Sequence, residues 1–382
     1  MGERIPKGWK KVKVGEYIKV KHGYAFKGKY ITNEETDTIL VTPGNFKIGG
    51  GFKSSKFKYY NSEYPEEYVL AEGDIVVTMT DLSKESDTLG YSAKIPSIKN
   101  KILLHNQRIG LVEFKNNEVS KEFIYWLMRT PEYHWYCVSS ASGTSIMHTS
   151  PSRIENYEFY LPPFPEQKAI ASVLSSLDDK IDLLHRQNKT LEQMAETLFR
   201  QWFIEEAKED WEEIRLGDLI KISSGKGLKR KEFVENGLYP VLGANGEIGR
   251  TNTFLFDERL IFTGRVGTLG NVFISEEKVW LSDNTLIIRP ISQEFFYFVY
   301  FFLKLAKLEE LNVGSTQPLI RQTDLKDLEM IVPDKETINR FHENAEQFFN
   351  KIRQNQKQIR ILEQLRDILL PKLMNGEVRV NY

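Results

Sequence analysis

A chain of 382 residues is long enough for two or three domains, and its make-up (41% hydrophobic, 27% charged, 12% aromatic) is that of an ordinary globular protein. It has no apolar run long enough for a spanning helix and no signal-peptide core at the N-terminus, so the expectation is a cytoplasmic protein with no membrane segment. The single Cys137 excludes an internal disulfide and reads as a small buried hydrophobe, while the six histidines are scattered and form no metal-ligand spacing with cysteine or carboxylates.

Net charge is −1, but it is unevenly spread. Residues 1–60 hold 13 Lys/Arg against 5 Asp/Glu, whereas residues 165–210 hold 6 against 10. A local basic excess fits an electrostatic footprint for nucleic acid, and equally a solvated lysine-rich surface.

In chain order, residues 1–164 read as mixed α/β. Short β-rich runs alternate with turn chemistry: Gly49-Gly50-Gly51, then Ile75-Val76-Val77-Thr78-Met79, then Arg108-Ile109-Gly110-Leu111-Val112. A helix is expected over 121–129, stopping before Pro131, then a loop around Gly143-Thr144-Ser145 and a strand over Tyr157-Glu158-Phe159-Tyr160-Leu161.

The organising stretch is 165–203. Ile170, Leu174, Leu177, Ile181, Leu184, Asn188, Leu191, Ala195, Leu198 and Trp202 recur at alternating steps of four and three, with no proline or glycine between them. A 3.5-residue period held this long marks a coiled-coil seam, which needs a partner helix. Pro165 suits the first helical turn, and Glu166 the positive end of the dipole.

After an acidic linker the pattern repeats. Trp9-Lys10-Lys11-Val12-Lys13-Val14-Gly15 aligns with Trp211-Glu212-Glu213-Ile214-Arg215-Leu216-Gly217 at an offset of 202. The run from Asp74 to Thr78 has its counterpart near Arg259 to Thr263, Gly143-Thr144-Ser145 answers to Gly314-Ser315-Thr316, and Leu161-Pro162-Pro163 to Ile331-Val332-Pro333. The offset shrinks along the way, so the second unit is a trimmed copy of the first. A second seam follows over 334–370, N-capped by Asp334 and stopped by Pro371: Ile338, Phe341, Ala345, Phe348, Ile352, Asn355, Ile359, Leu362, Arg366, Leu369.

Antiparallel pairing that sets Asn188 opposite Asn355 also sets Ala195 opposite Phe348 and Leu198 opposite Ala345, so large meets small twice, and Trp202 then faces Phe341. The two asparagines would satisfy each other's amides and fix the register, and Arg366 would reach toward Asp178. The expected fold is α+β: two similar mixed α/β domains joined by two long helices in an antiparallel coiled coil, with pseudo-twofold symmetry. The domain boundaries are 1–164, helix 165–205, 206–333, and helix with tail 334–376.

This order resembles the specificity subunit of type I restriction–modification enzymes. Carrying the resemblance are Leu161-Pro162-Pro163-Phe164-Pro165-Glu166-Gln167, Leu198-Phe199-Arg200-Gln201-Trp202-Phe203, Gly314-Ser315-Thr316-Gln317 and Leu369-Leu370-Pro371-Lys372-Leu373-Met374-Asn375-Gly376-Glu377. The first unit departs from it with Gly143-Thr144-Ser145-Ile146. The resemblance implies a non-catalytic reader of double-stranded DNA with two target-recognition domains, each addressing half of a bipartite asymmetric site. The helices would set the spacer and dock two methyltransferase subunits, and restriction/translocase subunits would join through that complex.

For DNA contact the first unit offers Tyr24, Lys27 and Lys29, and Lys53, Lys56 and Lys58 with Tyr59 and Tyr60, lysines interleaved with aromatics. The bland alternative is a solvated hairpin. The second offers Lys226, Lys229, Arg230 and Lys231 on a glycine-flanked loop that fits neither nucleotide-loop spacing, with Asn245 and Arg265 as side chains able to read adenine and guanine, or as plain turn chemistry. The Gly143 and Gly314 loops, with Gln317, are expected to anchor each unit to its helix, and 295–302 to be a buried helix.

No catalytic residue is expected. Leu161 precedes Pro162-Pro163-Phe164 where an adenine methyltransferase needs an amide or carboxylate, no carboxylate–lysine nuclease cluster is found, and no Walker motif or cofactor loop exists. The competing reading is a coiled-coil scaffold whose two domains bind protein or carbohydrate.

Overall fold

The internal repeat of the sequence becomes a repeat of strand order. In the computed structural model, which describes residues 7–81, 83, 86–143, 146–235, 237–314 and 316–381, the chain forms two compact units, Met1–Leu183 with Gln358–Tyr382, and Leu184–Lys357. The loop residues Thr144, Ser145 and Ser315 lie outside the described residues.

Each unit has a four-stranded antiparallel sheet. In the first its order is Ile18–His22, Ile109–Phe114, Ile75–Thr78, Ser92–Lys94. In the second it is Ile220–Ser224, Thr285–Pro290, Leu260–Gly264, Val272–Ser275. Pairing sets Ile109 against Thr78 and Thr285 against Gly264, so Thr78 corresponds to Gly264, one residue beyond the sequence alignment. A two-stranded ribbon precedes each long helix, Lys10–Lys13 with Glu158–Leu161 and Glu212–Arg215 with Glu329–Val332.

A smaller sheet carries one parallel pair in each unit: Thr38–Val41 beside Ile102–His105, and Tyr239–Gly243 beside Trp280–Leu281. That sheet has five strands in the first unit and three in the second, which is where the copy was trimmed.

The helix expected over 121–129 spans Lys121–Leu127, and Pro131 opens a second one, Pro131–Ser139, that was not foreseen. Thr130 caps it by accepting from the Tyr133 amide at 3.3 Å, and Pro131 takes the first-turn place where a missing N–H costs nothing. Phe296–Leu305 is a helix with seven buried residues, so the aromatic run is core.

The first long helix spans Phe164–Arg200 and continues as a π turn, Gln201–Glu205; the second spans Lys335–Met374. Asp334 caps the second, accepting from the Thr337 amide at 2.9 Å. Pro371 does not stop it. One hydrogen bond is lost in the last turn, but Leu370, Leu373 and Met374 continue into the first unit's core with Ile170, Ala171 and Leu174, and burial outweighs the missing bond. The helix ends before Gly376, which takes φ +76°.

Within each unit the helix segments run antiparallel. In the second, Asn188 meets Asn355 and Trp202 meets Phe341, ring centroids 6.3 Å apart. In the first, Arg366 donates to Asp178 at 2.8 Å, and Glu166, nearer its helix start, meets Arg379 beyond the other helix's end. Among the described residues no helix is long and apolar enough to cross a membrane.

Candidate nucleic-acid interface

At the exit of the first strand of each four-stranded sheet stands a glycine with no room for a side chain. A Cβ on Gly23 would sit 2.1 Å from the Asn106 carbonyl oxygen, and one on Gly225 would sit 2.1 Å from that of Ser282. This contact clips the following residue beneath the turn that ends the smaller sheet's parallel strand. The Tyr24 amide donates to His105 O at 2.9 Å and the Gln107 amide returns to Tyr24 O at 2.9 Å; the Lys226 amide donates to Leu281 O at 2.9 Å. The turn's far side is pinned alike: the Met79 amide donates to Arg108 O at 2.9 Å, and the Arg265 amide to Asn284 O at 2.8 Å. Both turns are therefore backbone-locked, and each presents two exposed side chains, Gln107 and Arg108 or Asp283 and Asn284.

Behind the first turn His105 is buried, its Nε2 2.8 Å from Ile109 O, and burial pushes its pKa down to about 4. Neither turn lies in a basic run, so composition and charge do not single them out in the sequence. The signal that could have found them is the repeat itself, since Gly23 and Gly225 keep the offset of 202.

In the second unit three of the chosen stretches converge on this end. A Cβ on Gly264 would stand 2.9 Å from the Ala244 Cβ, which sets the Ala244–Asn245 hairpin tip against the strand end that leads to Arg265. Asn245 Oδ1 accepts from Asn271 Nδ2 at 2.9 Å, so its carbonyl is partly committed. Arg265 is half-buried, and its Nε has no partner among the described residues. Lys226 belongs to the clipped turn. Lys229, Arg230 and Lys231 are exposed but sit apart from the tip: they lead into Phe233, which packs against Gly249 well along the hairpin.

The first unit's candidates divide. Tyr24 is 36% exposed, held edge-on by Phe26 at 5.1 Å and by the tilted ring of Tyr68 at 5.2 Å. Lys53, Lys56 and Lys58 lead into or begin the strand Lys58–Tyr60, and Lys58 Nζ donates to Asn33 Oδ1 at 2.6 Å. Lys27 and Lys29 lie toward that strand's other end, where Tyr30 O accepts from the Asn61 amide at 2.9 Å. The aromatics expected to join the lysines do not. Tyr60 is buried against Phe26 at 4.8 Å, and Tyr59 is half-buried with Lys101 over its ring, because neighbouring strand residues point to opposite faces and both faces are packed here, Tyr59 against the Ile39 and Val41 cluster and Tyr60 against the Leu40 and Leu104 cluster.

Against known proteins, the type I restriction modification DNA specificity domain matches this chain twice, at residues 6–193 and 208–371. The chain belongs to this family. Among its relatives, the MjaIX specificity subunit of Methanocaldococcus jannaschii is 28% identical over 337 residues, covering 76% of each chain. The MjaVIII specificity subunit of the same organism is 25% identical over 423 aligned positions, covering 99% of this chain and 95% of the relative. The crystal structure of a type I restriction–modification S subunit from M. genitalium has the same fold, with a TM-score of 0.58 at 20% identity over 98% of this chain and 97% of that one. This is a type I specificity subunit, whose part is recognition rather than catalysis.

In this specificity subunit the helix-start motif is an anchor as well as a dipole partner, since Glu166 lies in the first turn. Glu166 is fully buried, accepting from Trp9 Nε1 at 3.1 Å and from Arg379 Nη2 at 2.8 Å. Gln167 spans two backbones, accepting from the Ser120 amide at 2.8 Å and donating to Pro162 O at 2.9 Å. The seam asparagines meet with a difference from the expected reciprocal pair. Asn355 Nδ2 donates to Asn188 Oδ1 at 2.8 Å and to Gln187 Oε1 at 2.9 Å, while its own buried Oδ1 has no donor among the described residues.

The Gly143 and Gly314 loops were expected on the helices and sit instead on the strand extensions. Met147 pairs with Asp81 and Leu319 with Val266, next to Arg265, because Cβ atoms on Gly143 and Gly314 would lie 2.0 and 1.9 Å from the Ile146 and Gln317 carbonyls of these tight loops. Gln317 is exposed.

Proposed function

We propose that each domain of this specificity subunit reads one half of a bipartite, asymmetric site in double-stranded DNA. The long helices set the unread spacer and carry two methyltransferase subunits, and restriction/translocase subunits join through that complex, in the cytoplasm. The functional boundaries are 1–164 and 206–333 for the reading domains, 165–205 and 334–376 for the helices and tail. One observation carries the reading: both domains hold the same glycine-clipped turn, with chemically different exposed side chains on it. A shared frame with unlike tips is what two different half-sites require.

Tyr24 in the first domain and Lys226, Asn245 and Arg265 in the second serve the DNA contact near those turns, and Lys27, Lys29, Lys53, Lys56 and Lys58 in the first with Lys229, Arg230 and Lys231 in the second extend it away from them. The exposed lysines fit phosphates, which position without specifying. Asn188 and Asn355 hold the helix register. The test is DNA binding across a salt series, by the chain alone and with its methyltransferase partner. Log affinity should fall linearly with log salt, more steeply for the complex. No salt dependence in either state would favour a scaffold that binds protein or carbohydrate.

A further inference from the structure

We infer that Gln107 and Arg108 in the first domain, and Asp283 and Asn284 in the second, determine specificity by addressing base edges. This rests on the half-site reading above and names the residues that perform it. The two pairs occupy corresponding places, each between a parallel strand of the smaller sheet and the central strand of the larger one.

Rigidity separates these side chains from the basic runs nearby. Asn106 is buried and its Oδ1 accepts from the Arg108 amide at 3.0 Å, while Thr285 Oγ1 closes the other turn onto Ser282 O at 2.7 Å. With the pinning bonds described above, the backbone of each pair is held on both sides. A side chain that must meet a base edge within hydrogen-bond tolerance needs such a fixed origin. Phosphate contact does not, and Lys53 and Lys56 sit on the open stretch before a strand.

The four side chains are exposed and make no hydrogen bond or ion pair among the described residues. The turns themselves are held by backbone atoms, by Asn106 and by Thr285, so these four are free for a ligand. Their chemistry is that of base readers: Arg108 offers a bidentate fork to guanine N7 and O6, Gln107 and Asn284 an amide to adenine, and Asp283 an acceptor to the cytosine amino group. Tyr24 and Lys226, clipped beneath the turns, flank each pair with a hydroxyl or an ammonium for the adjacent phosphate. An acidic reader at a DNA surface is tolerated where a cation is held in the same stretch, and Lys226 lies between Gly225, packed on Ser282 O, and Gly227, whose Cβ would lie 3.3 Å from Asp283 Oδ2.

The test uses the full chain assembled with its methyltransferase partner. Methylated positions are mapped for the wild type, for Gln107→Ala/Arg108→Ala and for Asp283→Ala/Asn284→Ala, with assembly and circular dichroism checked for each. The first double variant should relax one or two positions of one half-site, the second should relax the other half, and the spacer should not change. Discrimination at the affected position should drop by about 5- to 100-fold. If a variant assembles but methylates nothing, the complex is competed with duplexes altered one base pair at a time: loss of discrimination in one half alone supports the inference. Wild-type preferences in both halves, or loss in both from one double variant, overturns it. A wild-type complex with no sequence preference would instead defeat the half-site reading itself, a result distinct from either.

Discussion

In the first domain the long helix begins on a buried carboxylate, Glu166, gripped by the Trp9 indole and the Arg379 guanidinium. At the corresponding place in the second domain Glu336 is exposed, and the buried Trp211 Nε1 has no partner among the described residues. There the helices are held by rings instead. Phe199 packs on Phe203, Phe298, Phe301 and Phe341 at centroid distances of 5.0, 5.6, 5.9 and 5.7 Å. Outside this cluster Arg259 and Arg353 bracket Glu346, holding its carboxyl down at about 2. The backbone frame is duplicated, then, but the forces that fasten it are not: a buried carboxylate at the helix start in one copy, an aromatic cluster edged by half-buried ion pairs in the other. The same holds behind the reading turns, where the place of His105 in one domain is taken by Leu281 in the other.

This contrast can be broken at several points. Phe199→Ala should cost the second unit about 3–5 kcal/mol in urea unfolding through the cavity it opens. Replacing Glu166→Ala leaves the Trp9 indole N–H without its acceptor in a buried site, while the exposed Arg379 guanidinium can turn to water, and should cost the first unit about 1–3 kcal/mol; Glu336→Ala should stay within about 0.5 kcal/mol. Equal losses for the two glutamates would show that the copies are fastened alike.

His105 offers a pH test. Its folded pKa of about 4 lies below the ordinary 6.5, so in that interval the unfolded chain binds the proton and the folded chain does not. Stability from this group is complete above pH 6.5, falls as pH drops toward 4, and is flat below; the full span is on the order of 3 kcal/mol. His105→Leu, copying the second domain, should flatten the first unit's stability between pH 6.5 and 4 relative to wild type. An unchanged slope would sink the assignment. A smaller effect is expected at the seam, where Asn355→Ala should cost about 1–2 kcal/mol, since its partners Asn188 and Gln187 can turn to water. Smallest for folding is Lys53→Ala with Lys56→Ala, within about 0.5 kcal/mol, yet the salt slope of DNA binding should fall by about one per lysine.

Much of this was legible beforehand because it is local or repeated. Heptad spacing shows in any window of the chain, and the offset of 202 carries Trp9 onto Trp211 and Gly23 onto Gly225 without any coordinates. Asp334 was readable as a cap for the same reason, since its acceptor reaches an amide three residues on. Pro371 misled because a local rule was outweighed by burial of Leu373 and Met374 in a core that sequence spacing does not reveal. Tyr60 misled because composition says nothing of which face of a strand is covered.

By itself the sequence determined the duplicated α/β units, the two long helices and their pairing sense, since periodicity and side-chain size act between near neighbours or along a regular seam. Only the tertiary structure decided which residues stand at the reading turns. Gly23 meets Asn106 and Gly225 meets Ser282 across long separations, and such contacts follow from strand order rather than from any spacing in the chain. The burial of Glu166 against Arg379 belongs to the same class, because a charge is drawn into a core only where distant parts of the chain supply its partners.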